Sequence, residues 1–159
     1  HGQWGSGSFW RETYWETEWC GPAEERQRGG QMMKREIIST PKAPAAVGPY
    51  VQGIKTGDTV YVSGQLGIDA AAGKLPPSLE EQAHCSMRNL GAILEAAGAH
   101  YDQIVKTTIF LQDMNDFGKV NEIYQSYFKN GFPARSCVQI GRLPLGGLVE
   151  VECVAVITE

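Results

Sequence analysis

The sequence predicts one sheet with two helices on one of its faces, in the order β-β-β-α-β-α-β-β. Three observations carry this. Residues 79–97 and 115–129 place apolar side chains at helical spacing. Runs such as Ile104 to Leu111 are rich in β-branched residues and alternate apolar with polar, as strands do. The two kinds of run interleave, and each helix has a single apolar stripe, so both helices belong on the same side of one sheet.

Each element has its own signal. Glu36 to Ser39 reads as a short strand, followed by a loop punctuated by Pro41, Pro44, Gly48 and Pro49 that ends at Tyr50. Val51 to Ile54 and Thr59 to Ser63 read as a hairpin with Lys55-Thr56-Gly57-Asp58 as its turn, and Ser63-Gly64-Gln65 closes the second strand. Ser78-Leu79-Glu80-Glu81 is a capping box, with serine at the N-cap and an acid three residues on. It opens a helix whose apolar face is Leu79, Ala83, Met87, Leu90, Leu94 and Ala97, ended by Gly98. A second helix is predicted from about Asn115 to Lys129, with Phe117, Val120, Tyr124 and Tyr127 on one face. Arg135 to Ile140 reads as a buried strand, and Leu148 to Thr158 as the last strand.

In that last strand Val149, Val151, Cys153 and Ala155 alternate with Glu150, Glu152, Val154 and Val156. Both faces carry apolar residues, at least towards its end. A sheet face of that character favours self-association, so a homo-oligomer with closed symmetry is expected.

The 159 residues fit one domain plus a tail. All four tryptophans, Trp4, Trp10, Trp15 and Trp19, fall in residues 1–31, and Met32-Met33 stand where the composition changes. Residues 1–31 therefore read as an appended or atypical extension, and 32–159 as the domain. Phe9, Trp10, Tyr14 and Trp15 would make an apolar helical stripe, but an unpacked tail is the favoured expectation.

The formal net charge is -4 and the pI about 5.4. No basic stripe is visible, so nucleic acid is not the expected partner. There is no run of about 18 apolar residues to span a membrane, and no signal-peptide pattern. The cysteines Cys20, Cys85, Cys137 and Cys153 lack CxxC spacing. They fit a reduced, intracellular protein, with Cys137 and Cys153 as small buried hydrophobes. Neither His84 nor His100 has an acid or cysteine at a spacing that fits a histidine triad or a zinc site, which argues against both.

The segment Phe132-Pro133-Ala134-Arg135-Ser136-Cys137 is the most informative. A guanidinium inside an apolar strand needs a partner, and its planar fork suits a carboxylate or phosphate. Glu150, on the following strand, is the nearest candidate within the chain, and a ligand is the other.

Five segments, taken in order, resemble one family. They are Ala43-Pro44-Ala45-Ala46-Val47-Gly48-Pro49-Tyr50, then Val62-Ser63-Gly64-Gln65, then Val105-Lys106-Thr107-Thr108. Next come Asn115-Asp116-Phe117 with Val120-Asn121, and finally Phe132 to Ser136 with Arg142-Leu143-Pro144 and Val149 to Glu152. Together they resemble the RidA/YjgF family of imine/enamine deaminases, from about Arg35 to Ile157. Each motif is weak alone, and the ordered set is specific.

The resemblance implies a chorismate-mutase-like α+β fold and a homotrimer with clefts between subunits. It implies hydrolysis of reactive imines, formed from 2-aminoacrylate or 2-aminocrotonate released by pyridoxal-phosphate enzymes, to 2-keto acids and ammonia. No metal and no cofactor is implied. Residue by residue, Arg135 matches the arginine that holds the substrate carboxylate, and Glu150 the acid that positions or activates water. Tyr50 matches a cleft-lining aromatic, Ser63 and Gly64 a strand end close to ligand, and Asn121 a polar contact from the second helix. Cys137 matches a position whose backbone, more than its thiol, meets ligand or water. Plainer roles compete: Tyr50 as the closing aromatic of its loop, Asn121 as a helix cap, Glu150 as a salt-bridge partner of Arg135 with Glu152 as the alternative acid, and Arg142 as a rim residue. Two other functions remain in play, a small-carboxylate binding trimer with little turnover and RNA cleavage or translation inhibition. The expected compartment is the cytoplasm, with the mitochondrion as the alternative.

Overall fold

A computed structural model describes residues 34–158. The expectations for residues 1–31 and for a domain start at Met32 lie outside the described residues. The elements come in the predicted order: β1 (Arg35–Ile38), β2 (Gly53–Thr56), β3 (Thr59–Leu66), α1 (Leu79–Ala96), β4 (Ile104–Leu111), α2 (Phe117–Gln125), β5 (Ala134–Gln139) and β6 (Val149–Val156).

The six strands form one mixed sheet in the order β1-β2-β3-β6-β4-β5. The last strand, β6, is inserted antiparallel between β3 and β4. β4 and β5 pair in parallel, so the chain needs a crossover between them, and α2 supplies it. Both helices pack on one face, α1 against β3, β6 and α2, which gives the expected α+β architecture of one sheet with a helical layer.

Local rules explain the boundaries. In the hairpin Thr56 pairs with Thr59, so the turn is the two residues Gly57-Asp58, shorter than the four expected. Gly57 adopts φ 57, the left-handed conformation that two-residue hairpin loops require and that glycine takes without strain. At the start of α1, the Ser78 hydroxyl accepts from the Glu81 backbone N–H at 3.2 Å and donates to its carboxylate at 3.1 Å. At the end, Gly98 at φ 82 lets the Ala99 N–H reach the Leu94 carbonyl at 2.8 Å.

Two expectations need correction. α2 ends at Gln125 and does not reach Lys129. The Ser126 hydroxyl donates to the Ile123 carbonyl at 2.6 Å, and Tyr127 and Phe128 continue only as turns closed by bonds to Tyr124 and Gln125. The tighter turns and the serine back-bond compete with helical continuation. Tyr127 therefore leaves the helix face and bonds His84 Nδ1 at 2.8 Å. The strand carrying Arg135 is also not buried. It is the sheet's edge, with Ala134, Ser136, Val138 and Gln139 exposed, because the insertion of β6 pushes β4 and β5 outward.

The core lies between sheet and helices. Leu90, Ile93 and Leu94 of α1 meet Val60, Ile109, Val149 and Ala155 of the sheet, all completely buried. The other face of the sheet has no helical cover and leaves Ile37 56%, Tyr61 51% and Val138 41% exposed. Leu90→Ala should lower stability by about 2–5 kcal/mol through lost burial and the cavity left behind. Urea unfolding measures this, and a loss below about 1 kcal/mol would contradict the placement of Leu90 in the core.

Candidate active site

The candidate residues form two groups, each assembled by its own local structure. The first lies on the open face of the sheet. Gln52 is buried and acts as a clamp. Its side chain accepts from the Thr40 N–H at 2.7 Å and donates to the carbonyls of Thr40 at 3.1 Å and Pro44 at 2.8 Å. This ties down the proline-rich loop that delivers Tyr50. Ser63 is fixed the same way: its N–H donates to the Gln52 carbonyl at 2.9 Å and its hydroxyl to the Val51 carbonyl at 2.6 Å.

The pairing of β3 with β6 shifts register between Val62 and Gln65. That β-bulge re-aims the strand at Ser63-Gly64. Ser86 on α1 secures it by donating to the Gln65 carbonyl at 2.7 Å. The Glu150 carboxylate lies over Gly64. A Cβ at Gly64 would sit 2.5 Å from Glu150 Oε1 and 2.8 Å from its Cδ, so any larger residue would displace the carboxylate. Beside this point Tyr50, Tyr61, Ser63, Lys106, Thr108 and Glu152 line an open cleft of about 670 Å³.

The second group lies at the β5 edge, on the helical side. Arg135 is half-buried and donates from Nη1 to Asn121 Oδ1 at 2.8 Å. Its Cζ stands 5.0 Å from the ring centre of Tyr124 and 5.4 Å from that of Phe117. Such contacts each contribute about 0.5–2 kcal/mol. Cys137, two residues along the same strand, faces the same side and is half-buried. The three ion pairs among the described residues are Lys42–Glu95, Lys119–Glu80 and Lys119–Glu122. Arg135 thus has no carboxylate partner among the described residues, and most of its donors are uncommitted.

This corrects the expected Arg135–Glu150 pair. β4 separates β5 from β6: Arg135 is opposite Thr107, while Glu150 is opposite Phe110. Glu150 alternates with the buried Val149 and Val151, so it points to the open face, away from the helices. Arg135 points towards them. Within one protomer, Tyr50, Ser63, Gly64 and Glu150 come together on one side of the sheet, and Asn121, Arg135 and Cys137 on the other. Arg142 is exposed. Sequence reasoning missed the cradle of Arg135. Phe117 and Tyr124 read as core positions, although Phe117, Asn121 and Tyr124 recur at i, i+4 and i+7, one face of a helix.

The electrostatics differ between the groups. Burial, and then the neighbouring charge of Glu152, push the Glu150 carboxyl above its ordinary value. Burial pushes the Cys137 thiol up, opposed by the Arg135 charge, so the thiol form dominates at neutral pH. No cluster of three or more His, Cys, Asp or Glu among the described residues has the arrangement to hold a metal ion.

The model of the family described as endoribonuclease L-PSP matches residues 40–157. Mouse 2-iminobutanoate/2-iminopropanoate deaminase is 51% identical over 123 residues, spanning 77% of this chain and 91% of the relative. The crystal structure of E. coli TdcF with bound serine is 42% identical, with a TM-score of 0.75 over 77% of this chain and 99% of that one. An L-PSP structure from Entamoeba histolytica is 46% identical, with a TM-score of 0.76 over 78% of this chain and 100% of that one. The chain belongs to this family, the RidA/YjgF family of the sequence resemblance.

Replacing Glu152 by Gln removes the like charge beside Glu150 and leaves its burial in place. The Glu150 titration should move down, yet stay above that of an exposed glutamate. Carbon-13 NMR of the side-chain carboxyl reads it, and an unchanged or upward-shifted midpoint would show that Glu152 exerts no charge effect there.

Proposed function

We propose that this protein hydrolyses 2-imino acids, formed from the 2-aminoacrylate and 2-aminocrotonate released by pyridoxal-phosphate enzymes, to 2-keto acids and ammonia. The observation that carries the reading is Arg135: a half-buried guanidinium, oriented by Asn121 and two rings and without an acid partner among the described residues. Such a group is a receptor for a small carboxylate. Relatives about half identical to this chain carry the corresponding deaminase name, and the related E. coli TdcF was crystallised with serine, a small amino acid, bound.

In this reading Arg135 fixes the substrate carboxylate, with Cys137 offering its backbone beside it. Glu150, whose proton affinity burial has raised, takes a proton from water as the oxygen bonds to the imine carbon. The carbinolamine then collapses. The proton held by Glu150 has already gone to the imine nitrogen to form it; its hydroxyl proton now passes through Glu150 to the amine, the carbon–nitrogen bond breaks, and ammonia leaves a 2-keto acid. Tyr50 closes over the ligand, Ser63 and Gly64 approach it through the backbone, and no metal or cofactor takes part.

Arg135 and Glu150 on opposite faces of one sheet cannot serve the same substrate molecule. We therefore assign the working site to a cleft between two copies, one supplying Arg135, Asn121 and Cys137, the other Tyr50, Ser63, Gly64 and Glu150. A homotrimer with three such clefts covers the open sheet face of each copy. No described helix is long and apolar enough to cross a membrane, and the reading places the protein with its pyridoxal-phosphate partners in the cytoplasm or an organelle matrix. The family description also names RNA cleavage. With a net charge of -4 that reading lacks its electrostatic footprint. Nuclease activity surviving in a pure Arg135→Ala protein would restore it.

With 2-aminoacrylate generated in place by a threonine dehydratase acting on serine, the wild type should speed keto-acid release. Arg135→Ala should lose about 100-fold or more in kcat/KM, since two charge-assisted bonds contribute about 1.5–3 kcal/mol each. Glu150→Gln should abolish hydrolysis and retain binding of 2-oxobutanoate. It should also be more stable than wild type at neutral pH. A carboxyl whose folded value is raised contributes stability below its unfolded value and loses it as pH rises through the folded one, whereas glutamine stays neutral throughout. Joint loss of hydrolysis and binding in Glu150→Gln would make the acid structural. A sharper check mixes the two inactive proteins. Co-refolded Arg135→Ala and Glu150→Gln subunits should regain activity, because some clefts then hold both native residues. Continued inactivity of a well-formed mixed oligomer would refute the shared cleft.

A further inference from the structure

We propose that Thr107 and Tyr124 are positioning residues that set the plane of the Arg135 guanidinium, an inference that rests on the deaminase reading of the site. Thr107 is completely buried on β4 and stands directly opposite Arg135 in the parallel ladder. Its hydroxyl shares a 2.8 Å hydrogen bond with the Tyr124 hydroxyl. Phe128 packs against the Tyr124 ring with centroids 4.8 Å apart. The hydroxyl bond and the Phe128 contact both hold the ring.

That matters because the guanidinium lies over this ring at 5.0 Å. A guanidinium carries its N–H donors at the edge of its plane. The Asn121 carbonyl takes one of them at 2.8 Å, which fixes rotation within the plane. The remaining edge is left for a carboxylate. Phe117, Asn121 and Tyr124 are thus one functional stripe of α2, and Thr107 ties that stripe to the sheet at the height of Arg135. Core packing alone does not call for the hydroxyl. Valine has the same shape, prefers strands, and lacks the desolvation cost of a buried O–H. Burial also pushes the Tyr124 phenol up, so it remains a neutral hydroxyl able to keep this bond.

The test compares Thr107→Val, Thr107→Ser and Tyr124→Phe, each alone and in an Arg135→Lys background. KM and kcat are measured with imine generated in place, and binding is measured by NMR titration with 2-oxobutanoate and with its uncharged amide. Thr107→Val and Tyr124→Phe should raise KM about fivefold to tenfold with kcat nearly unchanged, because the carboxylate is bound equally before and in the transition state. Thr107→Ser should restore the wild-type KM. In the Arg135→Lys background the same changes should cost less than about twofold, as expected for groups acting through one another. 2-Oxobutanoate binding should weaken and amide binding should not. Equal losses in both backgrounds, or equal losses for acid and amide, would assign the pair to packing and overturn the proposal. Should Thr107→Val fold poorly, the Thr107→Val/Tyr124→Phe protein removes both hydroxyls without leaving either unpaired, and the same outcomes apply to it. Absence of imine hydrolysis by the wild type would instead refute the deaminase reading, while the 2-oxobutanoate comparison across backgrounds would still decide the positioning role.

Discussion

The placement of β6 between β3 and β4 is the constraint on which the rest of the structure depends. It is the last strand made, yet it bonds to both neighbours. Strand alternation then sends Val149, Val151, Cys153 and Ala155 under the helices and Glu150 and Glu152 to the open face. One strand thus supplies a buried stripe of the core and the acid proposed for the site. The register also decides what Glu150 meets, because the β3 bulge presents Gly64 beneath it. A one-residue slip would put both glutamates into the apolar layer, so the core enforces the position of the acid.

The same insertion explains which parts were legible in the sequence. α1 announced itself through its capping box, its stripe and its terminal glycine, since each is a local interaction. β4 and β6 were legible from side-chain alternation. The order of strands was not, because it depends on pairing between residues far apart in the chain. The apolar run after Arg135 read as interior strand, although β5 is an edge. Asn121, Phe117 and Tyr124 of α2 stand against Arg135, and the sequence pattern does not distinguish cover by a helix from cover by a second strand. The end of α2 was missed for a local reason: Ser126 and two i→i+3 turns outcompete a periodic pattern that continues to Tyr127. At the candidate site, the proposed residues came from the ordered motifs. The separation of Arg135 from Glu150 followed from topology alone.

Both key charges sit in surroundings that do not favour them. Ionised Glu150 is half-buried beside Glu152, and Arg135 is half-buried without a counter-charge among the described residues. Aromatic faces and an amide oxygen offset part of the arginine's desolvation, and none of them competes with a carboxylate ligand for its charge. An acid placed beside Arg135 would stabilise the free protein more and occupy the fork. The topology prevents this, because Glu150, the acid that the sequence offers, is on the far side of the sheet.

On the reading of a shared cleft, each copy carries two unlike halves, each tied by its own hydrogen bonds. The Gln52 clamp and the Ser86 bond hold one half; the Thr107–Tyr124 bond and the Asn121 contact hold the other. Assembly then has only to set two preformed surfaces at the right distance, which an interface between folded protomers does without reorganising side chains. The open sheet face, with its exposed Ile37, Tyr61 and Val138, supplies apolar area to drive that contact. The surface that destabilises an isolated protomer in water is, on this reading, what brings the carboxylate receptor of one copy to the water-activating acid of the next.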